Sequence, residues 1–180
     1  MYANYSEYGN KTSTKDETIN DTPTKVELYN IDGEETFKHL LSIYKIIVVD
    51  VWADFCMPCK KIAPTYQALA NKYGSYIESK DVLFLKDRID DDSIDSVHQS
   101  MVQAVPTFFI YAFGKLQGEI IGPDVGAIDD ILNEVLDKSN TSTMLDEREY
   151  QEAVFQKYQT NGVLKQNQQK NQVQGEYVGV

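Results

Sequence analysis

The chain is 180 residues long, 42% hydrophobic, with a formal net charge of −11 from 17 Lys and Arg against 28 Asp and Glu. That length suits one domain with a sizeable core and room for extensions. An acid excess without a Lys/Arg cluster excludes the electrostatic footprint of nucleic-acid or anionic-membrane binding, and no apolar run approaches the ~20 residues of a membrane span.

Residues 1–24 and 160–180 are rich in Asn, Gln, Thr and Lys and poor in aliphatics. Such segments bury too little apolar surface to offset their ordering entropy, so both are expected to be largely disordered. The globular domain is expected over 25–138. Residues 139–180 form a C-terminal extension with a helix over 145–158 and a Gln/Asn-rich disordered tail. The first residues show neither a basic stretch nor the roughly 7–15 apolar residues of a secretion signal, so a cytoplasmic, reducing location is expected. The N-x-[ST] triplets headed by Asn4, Asn10, Asn20 and Asn140 then read as chance matches. The tyrosines at 2, 5 and 8 suggest no mechanism.

In chain order, "VELYN" (26–30) reads as a short strand. "EETFKHLLSIYK" (34–45) places Phe37, Leu40, Leu41 and Tyr44 on one helical face. "IIVVDVWA" (46–53) is a nearly continuous apolar run, as in a central strand covered on both sides. Ile62, Tyr66, Leu69 and Tyr73 recur at helical spacing up to Gly74. "DVLFLKDRI" (81–89) is the next strand, "DSIDSVHQSM" (92–101) a short helix, "TFFIYAFGKLQGEIIG" (107–122) two strands about Gly114, and "DDILNEVLDK" (129–138) an amphipathic helix. This order implies an α/β fold: a mixed central sheet flanked by helices on both faces. "DRIDDD" (87–92) reads as a solvated loop rather than a calcium site, because the required Gly and distal Glu are missing. His39 and His98 are expected on helix surfaces.

The two cysteines, Cys56 and Cys59, are three residues apart, directly after the central apolar strand. C-x-x-C within a β-α-β pattern has the spacing of a redox pair. Cys56 at a helix N-terminus would face free N–H groups and the positive end of the helix dipole, which stabilise a thiolate. Pro58 in the first turn gives up no needed N–H. Cys59, one turn on and deeper, is within disulfide reach. Zinc is the weaker reading, since only His39 and His98 could complete four ligands and they lack a paired spacing. Two buried structural thiols are the other alternative. Asp50, a carboxylate inside an apolar strand, is either a functional group or a strand-end residue facing solvent.

The segment "DVWADFCMPCKKIAP" (50–64) resembles the thioredoxin active-site segment, with Asp50, Trp52, Ala53, Cys56, Pro58, Cys59, Lys60, Ala63 and Pro64 in register. "VLFLKDRID" (82–90) and "QAVPTFFIYAFGK" (103–115) are similar to the family's lysine-bearing central strand and its cis-proline strand. The resemblance covers about 25–138 and implies the thioredoxin fold and a protein dithiol–disulfide oxidoreductase. Such an enzyme takes disulfide-containing client proteins, is recycled by a thioredoxin-reductase-type enzyme, and needs no cofactor or metal. It further implies Cys56 as nucleophile, Cys59 as resolving thiol, and Asp50 as buried proton acceptor with a raised pKa. Lys86 would set the titration of Asp50, Trp52 would shield the site, and Val105 with cis-Pro106 would form the docking edge for a client's extended chain. Lys86 could otherwise be an ordinary strand-end lysine, Trp52 core, and Pro106 a strand-start proline. Departures from the family pattern are Phe55 for tryptophan, Met57 for glycine, Ala104 for glycine, and the added Pro123 and Asp124; all bear on partner choice. The competing readings are a thioredoxin-fold adaptor whose redox cycling is secondary, and a more oxidising, isomerase-like member.

Overall fold

The computed structural model describes residues 25–74, 81–137 and 146–166. The calls on 1–24, including the tyrosine spacing, and on 167–180 lie outside these residues. The sheet has four strands in the order β2-β1-β3-β4: β1 (Ile46–Trp52), β2 (Val82–Arg88), β3 (Thr107–Ala112) and β4 (Lys115–Ile121). β1 runs parallel to β2 and antiparallel to β3, and β3 is antiparallel to β4. The central strand is thus the one that leads into the cysteines. The β3–β4 turn is two residues, Phe113 (φ 51°) and Gly114 (φ 75°), with the positive φ at both centres that matches the twist of a hairpin.

The alternation of β1 sorts the core into two layers. Ile46 and Val48 pack with α2 (Met57–Gly74), α3 (Val125–Val135) and α4 (Glu147–Thr160), through Tyr66, Leu69, Ile128, Leu132 and Phe155. Ile47, Val49 and Val51 face the other way, against Phe37 of α1 (Glu34–Ile43). Helices therefore cover both faces of a mixed sheet, as the sequence implied. The Tyr66 hydroxyl reaches Val48 O (3.0 Å) and Leu85 O (2.9 Å), tying α2 to β1 and β2 at once. α2 continues through Pro64, whose missing N–H forgoes one helical hydrogen bond.

Several local expectations give way to side-chain chemistry. The strand expected over 26–30 is reduced to a single bridge, Asn30 to Lys86. The helix expected over 92–101 shrinks to a 3-10 turn, Gln99–Met101. Its first half is diverted because Asp91 accepts from both the N–H and the hydroxyl of Ser93, a local alternative to helical bonding. α3 starts at Val125, four residues early, because Asp124 caps it by accepting from Ala127 N. His98 is not on the surface and Asp87 is not part of a solvated loop; both are fully buried. His39 is exposed, as expected.

The segment beginning at 160 also departs from expectation over its described part. α4 reaches Thr160, Leu164 is buried, and Lys165 exchanges two backbone hydrogen bonds of 2.9 Å with Glu119 of β4. Gly118 permits this approach: a Cβ there would sit 3.0 Å from Leu164 Cβ and from Lys165 O. Residues 161–166 thus pack on the domain. No described helix is long and apolar enough to cross a membrane.

Candidate active site

Chain direction places the site. β1 ends at Trp52, the chain turns through Ala53–Phe55, and α2 begins at Met57, so Cys56 occupies the helix entry and Cys59 its first turn. The two are joined as a disulfide (S–S 2.07 Å, Cα–Cα 5.3 Å). Cys56 and Cys59 are 5% and 3% exposed, so depth barely distinguishes them. Backbone donors do: the Cys59 N–H points to Cys56 Sγ at 3.1 Å. In the reduced protein, a donor so placed favours the thiolate of Cys56. Around this covered pair Phe55 (73%) and Met57 (61%) stand out into solvent, and Pro58 is exposed.

Trp52, Ile89 and Val105 pack against the cluster of Ala53, Cys56 and Cys59. The Val105–Pro106 peptide is cis. Pro106 O accepts from Gly122 N (2.9 Å) and the Thr107 hydroxyl donates to Ala104 O (2.8 Å), fixing the segment that brings Val105 to the disulfide. Ala104 and Pro123 are exposed, while Asp124 serves as the helix cap.

Asp50 is 1% exposed within β1, on the α2 side by strand alternation, which removes the solvent-facing alternative. Desolvation pushes its pKa up to about 7, against the opposing pull of Lys86. One oxygen, Oδ1, has no hydrogen-bond partner among the described residues. Lys86 is its register partner across the parallel pair. Burial lowers the Lys86 pKa, while the charges of Asp50 and Asp54 raise it. Its ammonium lies 3.9 Å from the centre of the Trp52 ring, so Lys86 joins Asp50 to the cover of the disulfide. Trp52 is held from its other end by Nε1–H donation to Asn30 Oδ1 (3.1 Å).

The structure adds a group with no motif of its own. Arg88, at the end of β2, pairs with Asp54 in the turn before Cys56, with Asp90 (2.9 Å) and with Asp91 (3.3 Å). Asp90 also accepts from Asp54 N at 2.7 Å. This clasp ties the turn that presents the nucleophile to the exit of β2. Its signal in the sequence is one arginine inside the acidic run "DRIDDD", whose charge pairs with carboxylates expected to be solvated. Among the described residues no cluster of His, Cys, Asp and Glu suits a metal ion.

The family model named Thioredoxin matches residues 26–135. The thioredoxin of Coprinus comatus is 30% identical over 106 residues, covering 59% of this chain and 95% of that protein. Thioredoxin-1 of Schizosaccharomyces pombe is 33% identical over 93 residues, covering 51% and 82%. Among solved structures, the Malassezia sympodialis thioredoxin superposes with a TM-score of 0.50 at 26% identity, covering 60% of this chain and 92% of that one. With the C-x-x-C pair at a strand-to-helix junction, these matches show that the chain belongs to the thioredoxin family and is a disulfide oxidoreductase.

Proposed function

We propose that this protein reduces disulfides in client proteins in a reducing, cytoplasmic setting, with Cys56 attacking and Cys59 resolving. The observation that carries this reading is the N–H of Cys59 directed at Cys56 Sγ at the entry of α2, which favours Cys56 as the thiolate. The Cys56 thiolate attacks one sulfur of the client disulfide, and the client's other sulfur leaves as a thiolate. Cys59, losing its proton to Asp50 directly or through water, then attacks Cys56 Sγ in the mixed disulfide and expels the second client thiolate. Two electrons have passed to the client, and the Cys56–Cys59 disulfide remains. A thioredoxin-reductase-type enzyme restores the dithiol. An acidic group with a pKa near 7 suits Asp50 to accept and return a proton at neutral pH. Lys86 tunes it, Pro58 keeps the helix entry rigid, and Val105 with Pro106 offers backbone to the client strand.

The test is insulin disulfide reduction driven by dithiothreitol or a thioredoxin reductase, with two variants alongside. Cys56→Ser is expected to abolish turnover. Cys59→Ser is expected to accumulate covalent client complexes through Cys56. Trapping by Cys56→Ser instead would reverse the roles. Absence of turnover in the wild type would favour an adaptor whose redox cycling is secondary.

A further inference from the structure

Three buried polar side chains lie on the α1 face of the sheet, away from Asp50, and take no part in the disulfide chemistry. They are Asp87 of β2, His98 just before the 3-10 turn, and Tyr111 of β3. Asp87 and His98 are fully buried and Tyr111 nearly so. A single oxygen, Asp87 Oδ2, accepts from Val97 N (3.1 Å), His98 N (2.9 Å) and His98 Nδ1 (2.7 Å). His98 Nε2 lies 2.8 Å from the Tyr111 hydroxyl. With the carboxylate on the Nδ1 side, the ring proton belongs on Nδ1, and Nε2 accepts from the phenol. Burial, then the charges of Asp87 and Glu119, push Tyr111 ionisation upward, which keeps the phenol a donor. Phe109 stacks on the imidazole at 4.8 Å and Phe37 meets it edge-on at 5.2 Å.

An Asp–His–hydroxyl chain has the shape of a nucleophile relay, but this one is sealed from solvent and its hydroxyl is committed to His98. An apolar set of similar volume would serve mere stability as well, because buried charges are expensive to desolvate. What the polar set adds is direction. Two of the three donors to Asp87 are backbone N–H groups of the connection between β2 and β3, whose one helical turn is Gln99–Met101. That turn starts from His98, with Met101 N donating to His98 O at 2.9 Å. The connection ends at Val105, packed on the disulfide, and at cis-Pro106.

We propose that His98 is a positioning residue for protein clients: pinned between Asp87 and Tyr111, it sets the path of residues 99–106 so that the Val105–Pro106 edge meets a client beside Cys56. This rests on the client-reductase reading above. Small electrophiles that Cys56 attacks without use of the edge are indifferent to His98. Clients are not.

The experiment compares wild type, His98→Ala, His98→Asn and Tyr111→Phe in two assays, below the melting temperature of each. One is the steady-state kinetics of insulin reduction; the other is the rate of alkylation of reduced Cys56 by iodoacetamide. His98→Ala is expected to raise the insulin KM about 5–10-fold with kcat within about twofold, the pattern of lost binding alignment. Alkylation should stay within about twofold of wild type, as an unaltered thiolate requires. His98→Asn, which keeps a donor for Asp87, is expected to recover most of the KM. Tyr111→Phe, which removes only the outer hydrogen bond, should raise KM less than His98→Ala. If His98→Ala does not fold, a raised KM in His98→Asn or Tyr111→Phe at a constant alkylation rate supports the proposal. An unchanged KM in every folded variant overturns the proposal, as does equal slowing in both assays, which is the mark of a general structural defect. A wild type that alkylates but reduces no insulin overturns the client-reductase reading first, and this inference with it.

Discussion

Asp50 illustrates how one residue can be unfavourable for folding and useful for chemistry. Its carboxyl is buried and its pKa is raised from 3.8 to about 7, so the folded protein holds a proton that the unfolded chain releases earlier. Below about pH 4 both states are protonated at this site and its full contribution to stability is present. As pH rises from about 4 to about 7 the unfolded state deprotonates first, and stability falls until the folded state has deprotonated too. At 1.36 kcal/mol per pKa unit, the total loss is of the order of 4 kcal/mol. Asp50→Asn is therefore expected to match wild type near pH 4 and to exceed it by about 2–4 kcal/mol at pH 8, while resolving mixed disulfides more slowly. Urea unfolding at the two pH values measures this. Equal stability differences at both would mean that folding does not raise the pKa of Asp50. The residue was legible as an anomaly in sequence because a charge interrupts the run Ile46–Trp52. Its partner Lys86, and the Trp52 ring that Lys86 covers, were legible only through family resemblance, since strand register is invisible in a single sequence. His98 and Asp87 were not legible: burial of a polar residue is decided by partners distant in sequence, and neither has a periodic signature.

At the scale of elements, apolar period was a sound guide wherever packing dominates. β1, α2 and the β3–β4 hairpin lie where their periodicity put them. The misplacements fall where polar side chains bond the backbone locally, as at Ser93 and Asp124, or where a sparse apolar pattern hides one decisive contact. Leu164 is such a contact. It stands in a Gln- and Asn-rich stretch, yet it is buried against Gly118 in β4, and Lys165 pairs with Glu119. Leu164→Ala is expected to destabilise the domain by about 2–4 kcal/mol. In a chain of this size that corresponds to roughly 5–12 °C in Tm. Insulin reduction at 25 °C should be unaffected, because the Leu164 contact lies at Gly118 and not at the cysteine cluster. A Tm within about 1 °C of wild type would show that the 161–166 segment is not docked in solution.

For the whole molecule, the sheet order β2-β1-β3-β4 makes the site. It sets β1, the strand that leads into the cysteines, inside the sheet, with Lys86 delivered by its neighbour β2 and Pro106 by the entry to its other neighbour, β3. α1 and the α2–α3–α4 layer seal its two faces. What remains open is a small apolar rim, Phe55 and Met57, on an otherwise acidic chain. That rim adds neither a charge nor a hydrogen-bond donor to the backbone N–H that already faces Cys56 Sγ. A disulfide becomes oxidising when its thiolate gains selective stabilisation from a positive or hydrogen-bonding neighbour, and Met57 supplies neither. The potential therefore belongs near the general thioredoxin value of about −270 mV rather than the about −180 mV of protein disulfide isomerase, a gap worth roughly 4 kcal/mol for two electrons. Equilibrating the Cys56–Cys59 pair in glutathione buffers of known ratio tests the central claim most directly. A midpoint close to the thioredoxin value is predicted, and a midpoint at or above the isomerase value would contradict the reductase assignment.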